Sequence, residues 1–357
     1  MKDKIGILTF VSGANFGQRL QNYALQKTIE GLGYECYTIQ QTSPYSFGKL
    51  FLIGIKRILR QRVNFVQEYR RRVKFNEFNQ ANIKIWNQKL SFSPSPSESK
   101  EIKKHFKAFV AGSDQIWNPF SPDVGSNFFL EFADKNQRVT YAPSFSVDAI
   151  PEEMIPLYKK RLNGFSFITV REKKGAEIVK EIIGKDATVV LDPTLLLNLS
   201  DWEKIRKAYL HKPKISYALS LFLGKVPRKE IDFISKKYNI YIYNLSTTAP
   251  ISPSEFLDIV KNASFVLTDS YHASIFSTIY HKPFINFTRE GTNIDMNSRF
   301  TTLYHNLGVS NRNWSVLKKQ GDSIMNINFD EIDNKIVKQK DECVGILSKL
   351  INQSVNN

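Results

Sequence analysis

Cysteine occurs only at Cys36 and Cys343 in 357 residues, which leaves no disulfide framework, no redox pair and no zinc spacing to argue from. A reducing cytoplasm is the expected setting. No stretch approaches the roughly 20 apolar residues needed to cross a bilayer. The opening MKDKIGILTFVSG runs into a glycine turn too early for a secretion signal and has no small-residue cleavage site. Also missing are a GxGxxG fingerprint and a Walker loop with its Gly-Lys-Ser/Thr, the two commonest phosphate-cradling signatures. No side-chain cluster calls for a metal. Acidic residues are scarce, 34 Asp and Glu against 50 Lys and Arg, and the formal net charge of +16 selects anionic partners: phosphorylated substrates, nucleic acid or acidic lipid. Nucleic acid is not expected, because no zinc-ligand pattern, RNA-recognition signature or recognition helix accompanies the charge.

What is present is globular composition, 42% hydrophobic with 26 Phe and 15 Tyr, in a chain long enough for two cores. Short runs rich in Ile, Val, Phe and Tyr alternate with segments of helical period, the pattern of βα units on a largely parallel sheet. The fold class is α/β. The first unit reads IGILTFV, SGANFG, then QRLQNYALQKTIEGLG; later strands are expected at KAFVAG, RVTYAPSF, SFITV and TVVL. Asp-Pro at 192–193 punctuates the chain, and Ser200 with Glu203 suggests a capping box. The alternation then restarts with KISYALSLF, NIYIYNL, SFVLTD and PFINF. The expected domains are 1–195 and 196–328, with a closing helix and tail at 329–357 packing back on the first. SFSPSPSES at 91–99 reads as a polar connecting loop. The block 49–75 alternates Lys56, Arg57, Arg60, Arg62, Arg70, Arg71 and Arg72 with apolar residues; it reads either as a solvated helix face or as a surface for anionic lipid.

Ligands in open α/β sheets bind beyond the carboxyl ends of the strands, and the unusual residues of this sequence collect there. After the first strand, Gly13 and Gly17 flank Ala14-Asn15-Phe16 at a helix start that can receive an anion, with Asn15 as its polar head. GSDQIWNP offers Ser113 and Asp114, close backbone approach at Gly112, and Trp117 as a stacking face for a sugar or as an interior plug. Arg171 heads a helix, where a cation opposes the dipole and needs an anionic ligand or an acid such as Glu172 beside it. In TDSYHAS, His272 stands where a strand gives way to a helix, able to move a proton near neutral pH, flanked by Ser270, Tyr271 and Ser274. Arg299, in NSRFTTLYHNLG, is a further cation.

GANFGQRLQNYALQ, FVAGSDQIWNP, YAPSFS, TVREKKGAEIV, LDPTLLL, FVLTDSYHASIFSTIYHKPFINF and SRFTTLYHNLGV occur in this order, and together they resemble the polysaccharide pyruvyl transferase family. The similarity runs from residue 5 to about 310. It implies a GT-B-like pair of Rossmann-type domains, with phosphoenolpyruvate bound between them as donor and no cofactor. The expected reaction places a cyclic pyruvyl ketal on a hydroxyl pair of a saccharide during capsule or exopolysaccharide biosynthesis. Arg171 matches the family's donor-binding arginine, and His272 the histidine proposed as general acid. Many relatives carry arginine two positions before that histidine, where this chain has Ser270; Arg299 or another cation must then replace the charge, or the donor differs. The resemblance implies a cytoplasmic enzyme, with an acceptor that can be linked to polyprenyl diphosphate at the inner face of the membrane. Two other readings fit the residues alone: a glycosyltransferase using a nucleotide sugar, and a non-catalytic anion-binding protein of an assembly complex.

Overall fold

A computed structural model describes residues 2–11, 13–45, 65–289, 297–320 and 324–356. The chain forms two compact units, one of Met1–Asn64, Asn79–Leu197 and Gln339–Asn357, the other of Phe65–Phe78 and Asn198–Lys338.

In the first unit, β1 (Lys4–Leu8), β2 (Glu35–Thr38), β3 (Ala108–Ala111) and β4 (Arg138–Thr140) form a parallel sheet in the order β2-β1-β3-β4. A short parallel pair, β5 (Thr169–Val170) with β6 (Thr188–Val189), lies in the same unit. Ile5, Ile7 and Leu8 of β1 and all of β3 are buried, the continuous apolar run expected of strands covered on both faces. Helix α1 (Phe16–Gly31) begins at Asn15, whose side chain accepts the Gln18 N–H at 3.3 Å.

Helix α2 (Phe65–Asn82) holds the end of the basic block. Lys56, Arg57, Arg60 and Arg62 lie outside the described residues. Arg70 and Arg72 are exposed beside Val66 and Tyr69, while Arg71 is buried with its guanidinium 5.4 Å from the Phe75 ring. The polar stretch expected to be a loop at 91–99 is only half a loop. Ser95 caps and Pro96 begins α3 (Pro96–His105), because proline suits the first helical turn, where its missing N–H would have no partner. α4 (Ile155–Leu162) and α5 (Lys173–Ile183) complete the helices of this part of the chain.

The second unit repeats the logic. α6 (Leu199–Ile205) opens it, β7 (Tyr217–Leu221) follows, and α7 (Arg228–Tyr238) leads to β8 (Tyr241–Asn244). α8 (Pro253–Asn262), β9 (Phe265–Thr268), α9 (Tyr271–Ile279) and β10 (Phe284–Asn286) come next, and the parallel order is β10-β9-β7-β8. α6 is capped by Asn198 with Asp201, not by Ser200 with Glu203. Glu203 instead pairs with Arg206 at 3.0 Å and Lys261 at 2.6 Å, and Arg206 reaches Asp258 of α8 at 2.6 Å, which ties α6 to α8.

α10 (Asn297–Leu307) and α11 (Trp314–Gln320) precede the long α12 (Phe329–Val355). The part of α12 from Gln339 onward belongs to the first unit: Leu347 and Ile351 are buried, and the Leu191 N–H meets Cys343 Sγ at 3.3 Å. Both cysteines are buried and unbridged. No described helix is long and apolar enough to cross a membrane, and the described residues contain no group of three His, Cys, Asp or Glu that could hold a metal.

Candidate active site

Each unit presents chemistry at the carboxyl ends of its strands. In the first, the turn after β1 has Gly13 in left-handed conformation, with its carbonyl accepting from the Arg19 guanidinium. Burial lowers the Arg19 pKa to about 10, still far above neutrality, so a cation stands beneath this turn at physiological pH. Asn15 is exposed and Gly17 is covered.

The loops after β3 and β4 are zipped together. Ser144 N–H donates to the Asp114 carbonyl at 2.8 Å, and Trp117 N–H to the Ser144 carbonyl at 3.2 Å. Asp114, Ala142 and Ser146 all adopt positive φ. Left-handed backbone at a residue with a Cβ costs roughly 1 kcal/mol or more, so three such residues in one place need surrounding bonds to hold them. Glu172 supplies several: one carboxylate oxygen accepts from Ser144 Oγ at 2.9 Å, Phe145 N at 2.9 Å and Ser146 N at 3.4 Å.

Arg171 is 1% exposed. Its guanidinium donates to Asp192 at 2.9 Å, with Asp114 at 3.6 Å and Glu172 at 3.9 Å. The acid that answers the helix dipole problem is therefore chiefly Asp192, a residue that reads in sequence only as the first half of an Asp-Pro break. Asp192 also accepts from Thr194 N at 3.0 Å, Thr194 Oγ1 at 2.7 Å and Ser113 Oγ at 3.4 Å. Ser113 and Asp114 thus belong with Arg171 to one buried polar network.

Trp117 is fully buried. Its indole lies parallel to Phe129 at 5.2 Å, with Phe145 and Phe165 also in contact range, and its N–H donates to the Phe128 carbonyl at 2.9 Å. The stacking face expected for a sugar is turned into the core, where a large apolar ring gains most from leaving water. Gly112 likewise serves packing: a Cβ there would meet Ile7, Leu25 and Thr9 at 3.2 Å.

In the second unit, Ser270 caps α9 and accepts from Ala273 N at 3.4 Å. Tyr271 and His272 follow with their rings perpendicular at 5.5 Å. Arg299 places its guanidinium 5.8 Å from both the Tyr271 and Phe300 rings, so the structure brings this distant cation beside the motif. Ser274, expected to donate to an anion, gives its proton to the Ser270 carbonyl at 3.1 Å and accepts from Asn286 Nδ2 at 2.6 Å. Asn286 in turn accepts from the Tyr304 hydroxyl at 2.8 Å, so Ser274 belongs to a buried chain underneath the helix start.

Sequence reasoning missed Arg289. Its Nε donates to the Asp269 carboxylate at 3.0 Å and its terminal nitrogen to the Asp269 carbonyl at 3.1 Å. Asp269 also accepts the N–H groups of Leu223 at 2.7 Å and Gly224 at 2.8 Å, joining the segments that follow β7, β9 and β10. The available signal was position: Arg289 stands two residues after PFINF, as Arg171 stands directly after SFITV.

Solved structures share this fold. The UDP-GlcNAc 2-epimerase from Methanocaldococcus jannaschii is 15% identical over 98% of this chain and 100% of its own, with a TM-score of 0.52. The enzyme from Neisseria meningitidis, bound to UDP-GlcNAc, gives 10% identity, the same coverages and a TM-score of 0.52. At such identity the likeness speaks for the fold alone, an α/β protein of two Rossmann-like domains in the GT-B-like class. The sequence carries the assignment further. The family model for polysaccharide pyruvyl transferase matches residues 15–291, and the chain belongs to that family. Among curated protein sequences none matches.

Proposed function

We propose that this enzyme transfers the pyruvyl group of phosphoenolpyruvate to two hydroxyls of a saccharide, forming a cyclic ketal. His272 protonates the methylene carbon of the donor, making C2 electrophilic. One sugar hydroxyl adds to C2, a second displaces inorganic phosphate, and the two hydroxyl protons leave with the phosphate and restore the imidazolium. The observation that supports this most is the cationic helix start of the second unit. The first N–H groups of α9 have no carbonyl within the helix to bond, and the strand end before them is held by Arg289 through Asp269 while Arg299 lies against Tyr271. Arg299 supplies the charge that Ser270 does not, since the charge of Arg289 is balanced by Asp269, and it favours the donor's carboxylate and the phosphate as it departs. Within the first unit, Arg171 and its partner Asp192 fix Ser113 and Asp114.

Phosphorus NMR of the protein with phosphoenolpyruvate tests the reaction. Inorganic phosphate should appear only when a saccharide acceptor is added; donor left intact with every acceptor rejects the proposal. The acceptor belongs, in the same proposal, to a capsule or exopolysaccharide repeat unit carried on polyprenyl diphosphate at the inner membrane face. Exposed Arg70 and Arg72 beside exposed Val66 and Tyr69 favour contact with anionic lipid. Sedimentation should recover more protein with acidic than with neutral vesicles, and equal recovery would remove the membrane part alone.

A further inference from the structure

We propose that a cavity of about 1000 Å³ at the amino edge of the first unit's strands is a separate binding site for an acidic saccharide, an inference that stands apart from the pyruvyl-transfer reading. The short turn Lys135–Gln137 and Arg138 form one wall at the start of β4, Ser166 and Phe167 a second before β5, and α12 a third from Gly345 to Asn356. All three walls belong to the first unit. Substrates of open α/β sheets meet the opposite, carboxyl edge, so this cavity is not part of the candidate active site.

Charge selects an anion. Lys135, Arg138 and Lys349 line the cavity from three separate elements, and its described lining holds no Asp or Glu. The acids closest to Arg138 are engaged elsewhere: Glu131 pairs with Arg161 at 2.8 Å and Asp134 with Lys103 at 2.8 Å. Arg138 itself donates to the Ala133 carbonyl at 2.9 Å and the Glu131 carbonyl at 3.2 Å, bonds that fix the guanidinium without neutralising it. A cation held in place in this way loses little freedom when an anion arrives.

The rest of the lining selects a sugar among anions. The side-chain amides of Asn136 and Asn356 offer donors and acceptors together, which matches a hydroxyl that must do both, and Ser166 adds a hydroxyl of its own. Phe167 is 44% exposed and gives an aromatic surface for the C–H face of a ring. Gly345 is an independent sign. Glycine inside a helix costs about 1 kcal/mol relative to alanine, and here a Cβ would meet nothing within 4 Å. No described neighbour requires the missing side chain; a ligand lying against the helix backbone does.

Isothermal titration with methyl glucuronoside, glucose 6-phosphate, methyl glucoside and inorganic phosphate tests the site. At least one of the two acidic sugars should bind the unaltered protein about tenfold or more tightly than both the neutral glucoside and bare phosphate. Lys135→Gln with Lys349→Gln, both exposed positions, should weaken that binding about tenfold, the effect of losing charge-assisted hydrogen bonds. Gly345→Glu should abolish it, because the new carboxylate enters the cavity and stands four residues before Lys349, where the two pair along the helix. That variant should keep its melting temperature, since Glu favours a helix more than Gly does. No binding of either acidic sugar, or binding unchanged in the lysine variant, overturns the proposal. Phosphate bound as tightly as the acidic sugars overturns the saccharide assignment, and the neutral glucoside bound as tightly overturns the role of the cations. Phosphate release from phosphoenolpyruvate by the lysine variant should match that of the unaltered protein; release lost together with sugar binding would overturn the separateness of the site, whereas sugar binding in a protein that never turns over the donor strikes the pyruvyl-transfer reading alone.

Discussion

Replacing His272 with alanine is expected to slow phosphate release from phosphoenolpyruvate by about 10²-fold or more, the usual contribution of a positioned proton donor. Carbon protonation is the step that creates the electrophile, so removing the acid lowers kcat and kcat/KM together and leaves donor affinity nearly unchanged. The scaffold around it should survive, because Ser270 caps the helix and the Tyr304–Asn286–Ser274 chain supports it without using the imidazole. Burial holds the Tyr304 hydroxyl pKa above its ordinary value, which keeps that chain neutral and intact across the assay range. A variant that turns over at the original rate would remove His272 from the chemistry.

The second large effect concerns stability. Asp192→Ala should destabilise the first unit by about 1.5–3 kcal/mol, because it removes the closest partner of a guanidinium that is 1% exposed and leaves only the longer contacts to Asp114 and Glu172. The same change removes the acceptor for Thr194 N and Oγ1, which holds the turn Pro193–Leu195. Arg171→Met combined with Asp192→Leu should lose less, since the closest pair leaves together and only the longer contacts to Asp114 and Glu172 are given up. Urea titrations followed by tryptophan fluorescence, with Trp117 in the same unit as reporter, measure both. A loss below about 1 kcal/mol for the single variant would mean that the pair is not holding the loops after β3 and β4, and that Arg171 is available for another task.

Strand endings and helix starts were legible because they follow from local rules. Asn15 before α1, the apolar run of β9, and glycine or polar turns after β1 and β3 each carry their signal within a few residues. Direction of burial was not legible in the same way. Ser113 and Ser274 look in sequence like residues that face a ligand, yet both spend their hydroxyls on internal bonds, and nothing within the motif distinguishes the two uses. Asp192 was hidden because its partner Arg171 lies 21 residues away, and Asp-Pro has an adequate local reading as a break. The cap of α6 shifted by two residues because Asn198 and Ser200 are both good caps, and only packing chooses. Arg289 was passed over because its ion pair with Asp269 joins two strand ends that sequence separates by 20 positions.

The central claim is that a pyruvyl group moves from an enol phosphate onto a sugar. Mass spectrometry of the acceptor after incubation with carbon-13-labelled phosphoenolpyruvate measures it directly. The product should gain the mass of one labelled pyruvate less one water per phosphate released, and should lose it under mild acid, which opens a ketal. An acceptor whose mass stays unchanged while labelled pyruvate and phosphate accumulate in equal amounts would contradict it, and would make the protein a phosphatase of its donor.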